Sequence, residues 1–499
     1  MSTTAEAPSA PTNPISRAIH LSTAVEHSEI AAGEIRTTFV DCHLIAPSVD
    51  DDQRKPIDVV VVLDRSRSMG RSKLGLCKKT IEFLATQLTA QDRMGIVTYH
   101  SLVETTFALT RMTADGKDFL SQRLDAIVTD AGTNLSSGLF AGIAAVQDPN
   151  RPDNKEHNPV KSVLLLTDGE ANKGVTDPTE FSPAGLASML QGVLDPQVSV
   201  HTFGYGSDHD ATLLGQLADI GRGSYYFVQN VDGVALAFAN CLGGLLSVVA
   251  QNIKLECIAS PGVLIQSVKT KRPVTTVTNQ VHYEVDMGDM FADESRDLLV
   301  EVQLTPQNPQ ESMNVVEFRL RYANVVGSSM DKASSTATIS RPAIVKNDAV
   351  NEHVVVQKQR VLVAEAIEAA KALASRQDFE QGRKMLLAVK ERLEADMDKT
   401  PTIAALLASL VNDLDRSVAS MSSAAEYRSV GHGRMEQTMQ QLWTQRVNNV
   451  DFEEKELNAS LEEQRNAAPN AAARPYAHFN RFGNAIQSRM MKKAFEVTK

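Results

Sequence analysis

The chain has 499 residues, 42% of them hydrophobic, a formal net charge of −11 at pH 7 and four cysteines. That length suggests roughly two to four domains with sizeable cores, and the acidic balance without an arginine-rich tract argues against nucleic acid as the main partner. Cys42, Cys77, Cys241 and Cys257 lie far apart and form no Cys-x-x-Cys pair, which excludes a zinc module built on paired cysteines and gives no sign of a disulfide framework.

In chain order, residues 1–16 are rich in Ala, Ser, Thr and Pro with no basic start and no apolar core, so they read as a disordered N-terminus rather than a signal peptide or anchor. No apolar run approaches the roughly 20 residues needed to span a bilayer. The expectation is a soluble, cytoplasmic chain without membrane contact. Residues 18–45 are β-rich. Val59 to Leu63 form an apolar, β-branched run, the mark of a strand buried on both faces. Residues 73–88 then carry Leu74, Cys77, Ile81, Leu84 and Leu88 at helical spacing. Strands follow at 95–99, 163–167, 198–204 and 224–228, with helices at 135–146 and 211–218. This alternation predicts an α/β, doubly wound, mostly parallel sheet over 57–246.

Residues 248–339 alternate apolar and polar, as in 252–258, 281–285, 297–304 and 315–322, and so read as antiparallel strands. The short β-rich stretch before the α/β domain cannot bury its own faces. The reading is therefore one β-sandwich, 17–50 plus 247–342, with the α/β domain inserted in it. Residues 346–449 turn helical: 354–374, a second helix to 393 capped by Asp378, a third starting at Thr400-Pro401, and a fourth at 434–448 carrying Trp443. A helical bundle is expected there. Residues 450–499 read as a mostly disordered tail. Near its end Phe479, Phe482, Ile486, Met490 and Phe495 form either a short amphipathic helix that docks a partner or a frayed terminus.

Chemistry concentrates where the first buried strand ends. Asp64, Ser66 and Ser68 follow Leu63 at alternate positions, in the loop leaving the strand's carboxyl end, where open α/β sheets place ligands. One carboxylate and two hydroxyls suit a hard cation such as Mg²⁺, although Asp and Ser also serve βα turns and helix caps without any metal. This Asp-x-Ser-x-Ser pattern resembles the metal-ion-dependent adhesion site of von Willebrand factor A domains. The family's second loop carries a Thr, matched by Gly132-Thr133-Asn134, and its third an Asp after a buried strand, matched by Asp168. The resemblance implies that Asp64, Ser66, Ser68 and Thr133 hold Mg²⁺ (Mn²⁺ or Ca²⁺ as alternatives), directly or through water. Asp168 orients the shell, and an open position accepts an Asp or Glu of a protein partner. One departure stands out: Arg67 occupies the place usually held by glycine. Arg65, Arg67 and Arg71 would repel a cation if turned inward. Turned outward they would form a positive rim suited to an acidic partner, unless they are merely solvated.

The order of parts is similar to one group of intracellular von Willebrand A proteins. In plants these carry a RING finger ahead of the domain and act in ubiquitin ligation. A RING needs eight closely spaced Cys/His ligands, which four scattered cysteines cannot supply, so ligase activity does not carry over. No P-loop, Gly-x-Ser-x-Gly elbow or His-Glu-x-x-His is present, and Ser66 and Ser68 have His100 and His201 as partners by fold position only. The expectation is a non-enzymatic, protein-binding scaffold. Its alternatives are a metal-free structural domain binding through its helices or tail, and an adaptor in a ubiquitin-related complex without ligase activity of its own. The oligomeric state is left open.

Overall fold

The computed structural model describes residues 17–49, 53–148, 158–169, 171–173, 193–229, 233–399, 401–448 and 483–498. The expected disordered N-terminus, Thr400 and tail residues 450–482 lie outside these.

The inserted domain is built on a six-stranded sheet. In chain order it contains β3 (Ile57–Asp64), α1 (Gly70–Gln87), β4 (Arg93–Tyr99), β5 (Val103–Arg111), α2 (Ala114–Asp125) and α3 (Leu135–Gln147). It continues with β6 (Val160–Thr167), β7 (Val198–Tyr205), α4 (Ala211–Ile220), β8 (Arg222–Val228) and α5 (Gly233–Leu245). The strand order is β5-β4-β3-β6-β7-β8, all parallel except the edge strand β5. The β3 run serves both faces. Val59, Val61 and Leu63 pack into the core under α1 and α5, while Val60 and Val62 pack under α3. Such strands cannot alternate with polar residues, which is why the run is continuous. At the opposite end of the sheet Arg93 donates to both Asp58 oxygens, at 2.8 and 3.1 Å, and Asn158 Nδ2 adds a bond at 2.8 Å.

The chain on either side of this domain forms a two-sheet sandwich. The strands are β1 (His20–Val25) and β2 (Arg36–Ile45), then β9 (Val248–Ala259), β10 (Val263–Lys269), β11 (Val274–Thr278), β12 (His282–Phe291), β13 (Ser295–Leu304), β14 (Gln310–Asn324) and β15 (Ser329–Arg341). One sheet runs β1-β2-β13-β10 and the other β11-β12-β9-β14-β15. The N-terminal hairpin is completed by later strands, since β2 pairs antiparallel with β13 from Ile45↔Ser295 to Arg36↔Leu304. Val40, Cys42, Leu44, Leu255, Leu298, Val300 and Phe318 lie between the sheets.

Four longer helices follow: α6 (Glu352–Ser375), α7 (Phe379–Lys399), α8 (Ala404–Ser420) and α9 (His432–Thr444). Asp378 caps α7 through Gln381 N at 3.2 Å. The third helix opens on a 3-10 turn, Pro401–Ile403, with no side-chain cap bond at Ile403. Helix α9 and the residues just after it also close the exposed edge of β8. Gln440 Oε1 accepts from Tyr225 N at 2.6 Å, and Asn448 Nδ2 donates to Tyr225 O at 3.0 Å. Edge strands need such cover because unpaired backbone groups invite association.

The last helix, α10 (Ala485–Thr498), forms where the sequence offers a short amphipathic helix, but its dock lies within this chain and not on a partner. It packs on α5 of the inserted domain, with Met490, Met491 and Ala494 buried. Asn484 Nδ2 bonds Ser247 Oγ at 2.9 Å and Gln487 Nε2 bonds Asn240 Oδ1 at 2.7 Å. The reason lies in α5, whose 13 residues are all buried. A helix apolar all round needs a cover on its outer side, and the apolar side of α10 is spent there rather than left for a partner.

Candidate metal centre

The fold brings two strand ends, those of β3 and β6, and the loop before α3 to one edge of the parallel sheet. Asp64 closes β3 and is fully buried. Its Oδ1 accepts the Ser66 backbone amide at 2.8 Å and its Oδ2 accepts Thr167 Oγ1 at 2.8 Å. The chain then makes a short 3-10 turn, Arg67–Met69, before α1. That turn stands the Ser66 and Ser68 hydroxyls 2.9 Å apart. Ser68 Oγ donates to Asp168 Oδ1 at 2.8 Å, carrying the oxygen chain to the end of β6. Asp64, Ser66, Ser68 and Asp168 thus meet through a continuous set of hydrogen bonds, with Thr167 as an unforeseen member.

Thr133 reaches the same edge from the loop before α3. Its backbone is fixed by Asn172 Oδ1 at 2.9 Å on N–H, and its carbonyl accepts Asn172 N and Lys173 N at 3.1 and 3.2 Å. Gly132 allows the turn with φ +87°, a conformation that glycine adopts without strain. The loop is tied to the first one by a bridge between Ser66 and Asp130 and by Asp130 N donating to Arg65 O at 2.8 Å. No hydrogen bond among the described residues joins the Thr133 hydroxyl to the serines.

The arginines separate. Arg67 and Arg71 are exposed. Arg65 lies along the surface, with Nη1 donating to Val128 O at 3.2 Å and Nη2 3.7 Å from Glu104. The cation that meets the cluster is instead Lys73, whose Nζ is 2.6 Å from Asp168 Oδ2. Lys73 sits in the first turn of α1, so the helix that follows the serines carries it back over the strand ends. Its sequence signal was only a lysine seven and five residues past the two serines. His100 and His201 do not serve the serines. His100 Nδ1 lies 3.2 Å from Ala131 O, and His201 Nδ1 accepts Ser224 N at 3.1 Å. Asp210, beside His209, caps α4 through Leu213 N at 2.9 Å.

The donor set fits a hard divalent cation: carboxylates and hydroxyls only, with a buried acid at its base. Among the described residues no cationic side chain pairs with Asp64, and burial pushes its carboxyl up to about 6 despite the Ser66 and Thr167 hydrogen bonds. A buried carboxylate in that condition gains most from a nearby positive ion.

Comparison with known proteins agrees with this geometry. The family model of the von Willebrand factor type A domain matches residues 58–239. E3 ubiquitin-protein ligase WAV3 of Arabidopsis thaliana is 29% identical over 276 residues, 54% of this chain and 34% of that protein. The uncharacterized protein YfbK of Escherichia coli K12 is 24% identical over 290 residues, 57% of this chain and 47% of its own. The chain thus spans between a third and a half of these relatives. Among solved structures, a von Willebrand factor type A protein from Catenulispora acidiphila superimposes with a TM-score of 0.64 at 16% identity, covering 84% of this chain and 96% of that one. The ArnB paralog VWA2 from Sulfolobus acidocaldarius gives 0.55 at 14% identity, covering 85% and 96%. The likeness in fold therefore runs beyond the parallel sheet into the sandwich and helices. No helix among the described residues is long and apolar enough to cross a membrane. The segment from the β3 strand to α5 is a von Willebrand factor A domain, a protein-interaction fold with a metal-site motif, set into a β-sandwich and followed by helices.

Proposed function

We propose that this chain is a non-enzymatic, cytoplasmic scaffold whose A domain binds Mg²⁺, with Mn²⁺ or Ca²⁺ as substitutes, and through it an Asp or Glu of a protein partner. Asp64, Ser66, Ser68 and Thr133 would hold the ion, directly or through water, and Asp168 would orient the shell. The observation that carries this reading is the hydrogen-bond chain from buried Asp64 through the Ser66 amide and the two serine hydroxyls to Asp168, which gathers two carboxylates and two hydroxyls at one place. A bound cation lets an acidic side chain approach two carboxylates that would otherwise repel it. Exposed Arg67 and Arg71 add positive charge beside the site.

Isothermal titration of Mg²⁺ into chelator-stripped protein tests this directly. Saturable binding in wild type that disappears in Asp64→Ala supports it; no binding in wild type overturns it. In that event the cation on Asp168 is the Lys73 ammonium, and the domain works as a metal-free scaffold.

A second reading is favoured by the likeness to WAV3 over 276 residues: an adaptor in a ubiquitin-related complex, without ligase activity of its own. Ubiquitin transfer by this chain with activating and conjugating enzymes alone would refute the adaptor role in that form.

A further inference from the structure

A second polar cluster lies on the outer face of the sandwich, away from the A domain's loops. Side chains alternate along a strand, so Asp41 and His43 of β2 point to the same face. The antiparallel register places Asp297 of β13 opposite His43. Helix α6 starts over this face and lowers His353, from its first turn, onto the same spot. His43 Nδ1 is 2.6 Å from Asp297 Oδ1, and His353 Nε2 is 2.7 Å from that same oxygen. One donor atom from each of the four residues lies within 4.8 Å of the others. Gln445 locks the Asp297 backbone from both sides, accepting its N–H at 2.9 Å and donating to its carbonyl at 2.8 Å.

Hydrogen bonding within the protein leaves this cluster unbalanced. Asp41 is fully buried, comes no nearer than 3.4 Å to His353 Nε2, and neither of its oxygens has a hydrogen-bond partner. Buried polar groups are almost always satisfied, so such an acid needs an explanation. Without an ion the two carboxylates favour charged imidazoles; as metal ligands both imidazoles must be neutral, and the two carboxylates then leave a charge of −2, which one divalent ion cancels. Imidazole nitrogen with carboxylate oxygen is a donor set for Zn²⁺ rather than Mg²⁺. A tetrahedral Zn²⁺ holds such donors at about 2.0–2.2 Å, hence about 3.4 Å from one another. The two hydrogen-bonded pairs need open by less than about 1 Å to reach that spacing. His43 and His353 are 21% and 34% exposed, which leaves an entry route from solvent.

We propose that Asp41, His43, Asp297 and His353 form a zinc site that clamps the start of α6 to the β2–β13 pair. The site is separate from the A-domain centre and does not rest on its reading.

The test uses the full chain carrying Asp64→Asn, stripped of metal and titrated with Co²⁺ as the visible probe. The expected result is one equivalent giving the intense d–d absorption of a four-coordinate ion, displaced by Zn²⁺. His353→Ala and His43→Ala should each weaken binding at least tenfold and abolish the band. His353→Gln, at a half-exposed helix start, serves as the variant least exposed to misfolding. Wild-type protein in excess Mg²⁺, which occupies an oxygen-donor site, gives the same measurement without the Asp64 change. No saturable band in either protein, or a band that survives His353→Gln and His43→Ala, overturns the proposal.

Discussion

Removing one negative charge at the junction of the three parts should loosen the whole frame. Glu294, between β12 and β13, is 5% exposed and serves several donors. Its Oε1 accepts Arg296 Nε at 2.7 Å and Arg446 Nε at 3.2 Å, and its Oε2 accepts Phe291 N at 2.7 Å. Burial alone would raise this carboxyl, but the Arg296 and Arg446 guanidiniums hold it below its usual value. Arg446 also lies 3.9 Å over the Phe291 ring and donates to Asp289 O at 2.7 Å, so it joins the helical part to the sandwich. Glu294→Gln keeps the volume and removes the charge. An amide has one acceptor, so whichever way it turns, its NH₂ faces either a guanidinium or the Phe291 N–H. Breaking a buried pair from one side costs about 3–5 kcal/mol, because the remaining charge stays buried and uncompensated. Trp443, the only tryptophan in the chain, is buried on α9 beside this junction and reports on it. With a urea slope of about 2–3 kcal/mol/M, the midpoint of the Trp443 fluorescence transition should fall by about 1–2 M. Arg446→Met should cost less, since Glu294 keeps Arg296. A Glu294→Gln midpoint within about 0.3 M of wild type, or an Arg446→Met effect larger than it, would refute the reasoning.

Acid should destabilise the A domain through two buried imidazoles. Burial and then Arg446 pull His201 down to about 3, and burial pulls His209 down to about 4. Both therefore stay neutral in the folded chain while the unfolded chain takes up protons below about 6.5. Their stabilisation is complete above that pH and is lost as pH falls toward the folded values, by about 1.4 kcal/mol per unit for each, or about 4 kcal/mol together at pH 5. Thermal melts of His201→Gln and His209→Gln should show a flatter pH dependence between 7 and 5 than wild type; equal slopes would remove this account. Lys73→Met frees Asp168 from its ammonium and should raise Mg²⁺ affinity roughly two- to fivefold, a modest figure because Lys73 is 38% exposed. Titration showing weaker binding would mean that Lys73 assists the ion. Gly142→Ala sets a methyl against Val62 Cγ2 where α3 lies on the sheet, and should cost about 1–3 kcal/mol in denaturant unfolding.

Much of this fold is written locally. The continuous Val59–Leu63 run predicted a strand buried on both faces, and the packing of Val60 and Val62 on one side and Val61 and Leu63 on the other shows why no polar residue interrupts it. Strand and helix periods, read a few residues at a time, were enough for the doubly wound sheet, the split sandwich and the helical end. The Asp64, Ser66 and Ser68 spacing was legible for the same reason: a strand end and the following turn fix their relative positions within five residues. Even so, Arg67 drew attention by proximity in sequence, whereas the helix carries Lys73, not Arg67, to Asp168.

What the chain determined by itself was thus each element and the chemistry at its ends. Tertiary structure alone decided which distant faces meet: His43 with Asp297, 254 positions apart, under His353 of α6; Gln440 and Asn448 on the open edge of β8; and α10 over α5. Periodicity and turn preferences act over a few residues, but the register between strands and the helix chosen to cover a given face depend on which arrangement leaves the least apolar surface and the fewest backbone groups unpaired across the whole molecule.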